Sequence, residues 1–520
     1  MIKKILNNKV LILYFIPFVI GSLSTLSFQP FNLTILNFFI LPIFFYLTVY
    51  IKKKSKSVYR KKPYKKNLFV FGLLFGLGFY LSGISWIANS LTFDENFKIF
   101  IPFAVILIPL FLSLFTALTI LIIGPHLNFN IYSIFIFSGG LALTDFLRAK
   151  LFTGFPWNLW AYSTSWFNEI IQIVNIFGFH TYNLILITLF TIPAILFFNF
   201  SLMKKLINSF FSLLFIFLLY IYGNYVINKN EKITIEGSEK IFVKIISPDF
   251  DLKYGLSKKE IEDRFKKLIK YSEPSKNKKT VFIWPEGTFS GYSFDEISIF
   301  KELILENFSE NHTIIFGVNI LSKNSHQFYN GMIAINNQFE IIQSYYKRKL
   351  VPFGEFLPFE NLLNTFGLKK ITEGHGSFLR GTKNNNILID QLNILPLICY
   401  EVIFTELIQN SSSDTNLIIN ISEDGWFGNT IGPHQHFAKS IFRAIENNTF
   451  LLRSTNKGIS AIVDNKGNII KQLNLNEAGN IELKIPLIKT NKIKNDLIFY
   501  ILLITYLLSF LIYRNKHEKK

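Results

Sequence analysis

The sequence predicts a multi-span α-helical membrane domain joined to an α/β layered globular domain. Three observations carry this. Half of the 520 residues are hydrophobic, 58 of them Phe, more apolar surface than a soluble chain of this length needs. The excess is concentrated in the first 230 residues and the last 30. The middle, from Lys232 to Lys489, has ordinary mixed charge and alternates strand-like with helix-like stretches.

Seven apolar stretches precede the middle region, at 10–27, 34–51, 68–91, 100–124, 131–147, 175–199 and 207–226, and an eighth follows at 496–513. Each is long enough to cross a hydrocarbon core of about 30 Å as a helix. The first follows Lys3, Lys4 and Lys9 in the manner of a signal peptide. No small-residue cleavage site follows it and a second span comes at once, so it reads as a retained anchor. The basic stretches KKKSKSVYRKKPYKK (52–66), MKK (203–205) and RNKHEKK (514–520) belong in the cytoplasm, and the loop LTFDENFK, with Asp94 and Glu95, on the opposite side. Both termini are then cytoplasmic and the middle domain lies outside, in the periplasm of a bacterium with two membranes. The net charge of +19 serves this topology and contact with anionic lipid. No aromatic or groove-reading motif accompanies the basic run, so no nucleic-acid partner is expected.

The domain boundaries expected are 1–230, 231–489 and 490–520. Within the middle domain, apolar β-branched runs predict strands at 240–247, 280–284, 312–321, 331–336, 340–346, 393–404, 416–422 and 460–464. Ser257 with Glu260 forms a capping-box pattern ahead of Ile261, Phe265, Leu268 and Ile269, which share one helical face. Ser293 with Glu296 opens a second helix, over 293–308. Strands alternating with helices make an α/β layered domain.

Three predicted strands end in reactive residues. Glu286 follows the second in WPEG, Lys347 follows the run ending in Tyr346, and Cys399, the chain's one cysteine, ends the run LPLIC. A lone cysteine in an oxidising compartment forms no internal disulfide. It is either a buried small hydrophobe or a nucleophile, and a nucleophile needs a base and an oxyanion partner. Glutamate, lysine and cysteine at strand ends in this order resemble the catalytic trio of the nitrilase superfamily. Longer segments, YYKRKLVPFGEFLPFE, PLICYEVIF, DGWFGNTIGPHQHFAKSIFRAIENN and RSTNKGISAIVDNKG, resemble the apolipoprotein N-acyltransferase family, the membrane-integral branch of that superfamily. GISWIANS (83–90) and TDFLRAKLFTGFPWN (144–158) resemble the family's membrane-domain signatures. The resemblance covers essentially the whole chain. It implies seven spans, a nitrilase-like αββα sandwich and an eighth span. Three positions depart from the family pattern: Ser247-Pro248-Asp249 stands in place of a Gln-x-Asn segment, Asp145 in place of Glu, and Glu423 in place of a common Asn.

The resemblance implies transfer of an acyl chain from a phospholipid, through a cysteine thioester, to the α-amino group of the N-terminal diacylglyceryl-cysteine of an apolipoprotein, the last step of lipoprotein maturation. Cys399 is then the nucleophile, Glu286 the general base, and Lys347 the oxyanion stabiliser together with the Tyr400 N–H. Glu355 is expected to hold Lys347 by charge, and Tyr400 and Glu401 to shape the oxyanion site. Trp426, Phe427 and Trp284 are expected to line an acyl or glyceryl pocket, with core packing as the alternative for Trp284. Arg148 and the GFPW turn (154–157) would meet a lipid head group or anchor the fifth span. No cofactor and no metal is called for. His434 and His436 lack a third ligand nearby in sequence and read as structural. Two rival classes fit less well. A membrane-anchored amidase or nitrilase on a small substrate gives no use for eight spans. A transporter should carry charged or broken segments at the bilayer midplane, where these spans offer few candidates beyond His180.

Overall fold

The computed structural model describes residues 8–55, 63–235, 239–358, 360, 376–383, 386–489 and 496–518. Lys3, Lys4 and residues 56–62 of the basic stretch lie outside these. The chain folds as two compact units. One holds the segments up to Ala88, Lys98–Val226 and the C-terminal helix; the other holds Asn89–Phe97 and the chain from Ile227 to Lys494.

Among the described residues, seven helices are long and apolar enough to cross a membrane: Thr34–Lys54, Tyr64–Thr92, Glu95–His126, Ile131–Lys150, Phe179–Phe197, Leu202–Lys229 and Leu497–Lys516. The first expected span is a shorter apolar helix, Leu11–Ser27. Hydrocarbon offers no partner to backbone amides, which is why such sequences close their hydrogen bonds within a helix. Side chains such as Phe103, Phe111, Ile122, Phe210, Phe211 and Leu507 remain exposed on these helices, as a lipid-facing surface requires. The span expected from residue 175 starts later, at Phe179. Gly178 takes φ 80°, a left-handed conformation that separates it from the short turn Val174–Phe177. Gly21 and Gly78 let two helices touch: a Cβ on either would run into the carbonyl of Phe75 or Phe18.

The second unit is built on two six-stranded sheets. In the first, the order is β12 (Gly479–Pro486), β1 (Lys240–Ser247), β2 (Thr280–Ile283), β3 (His312–Leu321), β4 (Phe328–Ile335) and β5 (Ile341–Tyr346). In the second it is β11 (Ile469–Leu473), β10 (Ser460–Val463), β9 (Leu451–Asn456), β8 (Leu417–Glu423), β7 (Leu392–Ile398) and β6 (Ile387–Ile389). Strands β1 to β3 run parallel, as do β7 to β9, and antiparallel strands flank both sets.

Alternation along the strands dictates the layers. Val281 and Ile283 of β2, Ile315 of β3 and Met332 of β4 point between the sheets, where they meet Ile394, Ile398, Ile419, Ile421 and Leu452. The intervening Phe282, Trp284, Ile314, Phe316 and Ile333 point outward, against Ile261, Phe265, Leu268 and Ile269 of the helix Lys258–Ser272. That helix opens with the expected Ser257–Glu260 capping box. A second helix, Gly432–Asn447, is buried along nearly its whole length. The result is the expected αββα sandwich.

Some local expectations shift. Residues 293–308 keep their Ser293–Glu296 capping box but break into Phe294–Ile297, a 3-10 turn Ser298–Phe300, and Lys301–Asn307. Strands β6, β9, β11 and β12 join the eight expected. The run 393–404 does not stay extended; its strand stops at Ile398.

Candidate functional site

Pro285 has no amide to give a sheet, so β2 ends at its last rung, Trp284 N to Ile315 O at 2.9 Å. The chain turns there, Gly287 at φ 76°, and presents Glu286. Glu286 Oε1 accepts from Asn330 Nδ2 at 2.8 Å and faces Lys347 Nζ at 3.4 Å. Its Oε2 accepts from the Glu423 amide at 3.1 Å.

Lys347 follows β5, its amide bonded to Asn330 O at 2.9 Å. Its ammonium is buried and donates to Glu355 Oε1 at 2.8 Å, the expected charge partner. Burial works against that charge, but the carboxylates of Glu286 and Glu355 outweigh it and raise the pKa well above the ordinary lysine value. Glu355 is fixed in turn by the Val351 amide at 2.8 Å. Asn330, which sequence reasoning missed, uses both amide hydrogens: one goes to Glu286, the other to Glu355 Oε1 at 2.7 Å. It holds two carboxylates on either side of one lysine. The only available signal was an amide side chain in the apolar strand FYNGMIAI, which reads equally well as an outward-facing polar position.

Cys399 lies one residue past β7, at φ 48°, and starts a 3-10 helix, Cys399–Ile403. Glu401 turns back from that helix. Its Oε2 accepts from the Ile398 amide at 2.9 Å. Its Oε1 accepts from Tyr345 Oη at 2.9 Å, the Arg348 amide at 2.7 Å and the Lys349 amide at 3.1 Å. Glu401 is a buried staple between the segment carrying Cys399 and the segment carrying Lys347. Burial, with Glu286 and Asp424 nearby, pushes the Cys399 thiol well above its ordinary pKa, while Lys347 and the Ser422 hydroxyl pull the other way.

The aromatic candidates separate. Trp284 is a core residue: its ring is fully buried under the helix Lys258–Ser272 and its indole N–H donates to Ser272 Oγ at 3.0 Å. Phe427 is buried with its ring edge-on to His436, centroids 5.2 Å apart. Trp426 is half-buried, near Phe93 at 5.2 Å and Tyr254 at 6.3 Å, and its carbonyl accepts from Asn89 Nδ2 at 3.1 Å. Tyr400 packs edge-on against Phe404 at 5.0 Å.

His434 is half-buried and His436 wholly buried. His436 Nδ1 lies 3.0 Å from Asp424 Oδ1, and its Nε2 lies 3.3 Å from the Cys399 carbonyl. Among the described residues, no group of three or more His, Cys, Asp or Glu is placed to hold a metal ion. Glu423 is buried, its carboxylate accepting from Gly425 N at 2.9 Å and Asn456 Nδ2 at 2.8 Å. Burial dominates and, with Glu286 and Asp424 alongside, raises its pKa to about 8 against those two donors. In the first unit, Arg148 is not presented to a head group. It is buried, pairs with Asp145 at 3.1 Å and donates to the Phe155 carbonyl at 2.6 Å, holding the GFPW turn from inside.

Glu286 past β2 and Lys347 past β5 meet at 3.4 Å, and both act electrostatically on the Cys399 thiol past β7; a thiol, a carboxylate and an ammonium are the components of nucleophilic acyl transfer. Two family descriptions match the chain: the apolipoprotein N-acyltransferase N-terminal domain over residues 20–192 and the carbon-nitrogen hydrolase over residues 254–495. The apolipoprotein N-acyltransferase of Rickettsia typhi is 32% identical over 516 residues, covering 95% of this chain and 97% of that one. That of Brucella melitensis is 30% identical over 482 residues, covering 90% and 89%. Among solved structures, a CN-hydrolase superfamily protein from Xanthomonas campestris matches 48% of this chain and 91% of its own at 15% identity and TM-score 0.36. Nit3 of Saccharomyces cerevisiae, a nitrilase-superfamily member, matches 48% and 90% at 16% identity and TM-score 0.35.

Proposed function

The chain belongs to the apolipoprotein N-acyltransferase family, and from that premise we propose that it N-acylates lipoproteins by a two-step exchange on Cys399. In the first step Glu286 takes the thiol proton and the sulfur attacks the sn-1 ester carbonyl of a phospholipid. The S–C bond forms, the ester C–O bond breaks, and lysophospholipid leaves with the proton. In the second step the α-amino group of a diacylglyceryl-cysteine attacks the thioester. The N–C bond forms, the S–C bond breaks, and the amine's proton returns through Glu286. Lys347 and the Tyr400 N–H carry the oxyanion in both steps, a contribution of about 3–4 kcal/mol per well-placed donor.

The observation that carries this reading is the buried Lys347 held between Glu286 and Glu355. An ammonium so held stays protonated and cannot serve as base, which leaves Glu286 for proton transfer. The raised thiol pKa supports the same division of labour. Little free thiolate exists at neutral pH, so a base beside the thiol is needed. A thioester suits an amine acceptor, because amines attack it faster than water does when water is kept out. The basic stretches at 52–66, 203–205 and 514–520, with Asp94 and Glu95 in the opposite loop, support both termini in the cytoplasm and the second unit in the periplasm.

The test is mass spectrometry of the full-length protein mixed with phosphatidylethanolamine alone. An acyl adduct on the Cys399 peptide, matched by lysophospholipid and absent from Cys399→Ser, is expected. Lipoprotein acylation without any adduct on Cys399 would overturn the two-step reading.

A further inference from the structure

We propose that His436 is a positioning residue of the oxyanion hole: by holding the Cys399 carbonyl it aims the Tyr400 N–H, on the same peptide, at the carbonyl under attack. This rests on the reading of Cys399 as nucleophile.

The backbone of Cys399 has a φ of 48°, in the left-handed region. A residue bearing a side chain stays there only where its surroundings hold it. Two side chains do so, one on each side. Glu401 Oε2 takes the Ile398 amide at 2.9 Å, and His436 Nε2 meets the Cys399 oxygen at 3.3 Å. The peptide that follows Cys399 is planar, and its C=O and N–H point in opposite directions. Whatever fixes the carbonyl therefore fixes the direction of the Tyr400 N–H.

The neighbouring groups determine which ring nitrogen carries the proton. A carbonyl only accepts, so its partner Nε2 must donate. Arg453 Nη2 donates at 2.7 Å to Asp424 Oδ2, and His436 Nδ1 lies 3.0 Å from both that nitrogen and Asp424 Oδ1; the contact at Nε2 selects the tautomer in which Nδ1 accepts from Arg453 rather than donating to the carboxylate. Asp424 Oδ1 is served by Ser422 Oγ at 2.7 Å. A proton on Nδ1 would instead turn the Nε2 lone pair toward the Cys399 oxygen. Burial keeps the ring neutral, its pKa pushed down to about 4, so it has a single N–H to give. The ring comes from the helix Gly432–Asn447 and is braced edge-on by Phe427, a rigid mounting.

Two substitutions in the full-length protein separate the roles. His436→Asn keeps a polar group beside Asp424 and Arg453 but falls short of Cys399. His436→Gln places its amide nitrogen where Nε2 stood. Two reactions of Cys399 are compared: acylation by phosphatidylethanolamine, which builds an oxyanion, and alkylation by iodoacetamide, which does not. His436→Asn should slow acylation about 10- to 100-fold, with KM for phospholipid unchanged and alkylation at the wild-type rate. His436→Gln should recover most of the loss. Equal acylation in the two variants, or both reactions slowing together, overturns the proposal. ¹⁵N-histidine spectra of the unsubstituted protein give an answer even if a variant misfolds. The buried ring should be protonated on Nε2 and untitrated between about pH 5 and 8; a proton on Nδ1 overturns the proposal. If wild-type Cys399 takes no acyl chain at all, the nucleophile reading falls first and this proposal with it. If it does and the variants acylate alike, only this proposal falls.

Discussion

Two buried ionic clusters stand near Cys399, one on each sheet, and they differ in a way that separates chemistry from support. On the first sheet, Lys347 is shared by Glu286 and Glu355. On the second, Arg453 and His436 flank Asp424. Asp424, His436 and Arg453 have no exposed side-chain surface, and Arg453 and Ser422 supply donors to both carboxylate oxygens. Glu286 and Glu355, by contrast, keep 12% and 10% of their side chains exposed. A closed cluster holds a shape. A cluster whose carboxylates reach the surface has somewhere to pass a proton. Of the charges around Cys399, Glu286 and Asp424 disfavour the thiolate, one from each cluster, whereas Lys347 favours it.

The comparison breaks if Glu286 is only another structural acceptor. Glu286→Gln keeps the shape and removes the base. Acyl-enzyme formation should fall by about 10²–10⁴, the usual contribution of a positioned base, with little change in thermal stability. Because the thiol pKa is raised, the residual rate should climb about tenfold per pH unit through neutral pH without levelling. A flat pH–rate profile would remove Glu286 from the role of base for this thiol.

The closed cluster should respond in the opposite manner. Arg453→Met leaves Asp424 buried and uncompensated, at a cost of about 3–5 kcal/mol. Thermal melting in detergent should drop by many degrees, and whatever folded fraction remains should still alkylate at Cys399. Unchanged melting would mean Asp424 does not depend on this partner.

The smallest effect sharpens the boundary between the clusters, where Glu423 sits beside Glu286. Its folded pKa of about 8 lies above the ordinary carboxyl value, so the folded state holds a proton that the unfolded state releases. Its stabilisation is therefore full below about pH 4.5 and is lost as pH rises through 8. Glu423→Gln should flatten this part of the stability profile by at most about 1.4 kcal/mol per pH unit. An identical slope in wild type and variant would show that Glu423 is ionised throughout.

The positions of Glu286 and Lys347 were legible because each stands immediately past an apolar run, where a strand must stop and show its next residue; Cys399 stood inside the run 393–404 and was distinguished as the chain's one cysteine. Pro285 makes the first stop explicit, and Glu355 was reachable as the nearest carboxylate after Lys347. The chemistry-bearing residues were thus readable one at a time. Their supports were not. Asn330 meets Glu286 across 44 residues, and His436 meets the Cys399 carbonyl across 37. Glu401 was read from its position beside the nucleophile as part of the oxyanion site, whereas three of its four bonds go to the segment around Lys347. For Trp284 the sequence left pocket wall and core packing both open, and alternation along β2 points it at the outer helix.

The sequence by itself determined what is local or additive: apolar length sufficient for membrane helices, a two-residue alternation that builds layered sheets, capping boxes, and the order of three reactive strand ends. These depend on residues within one segment, and so they survive without knowledge of the fold. The tertiary structure alone decided the left-handed turn at Cys399, the lysine shared between two carboxylates through Asn330, and the closed Asp424–His436–Arg453 cluster. Each requires side chains from segments far apart in the chain to converge within hydrogen-bonding distance, and burial there, rather than residue type, sets their charge states.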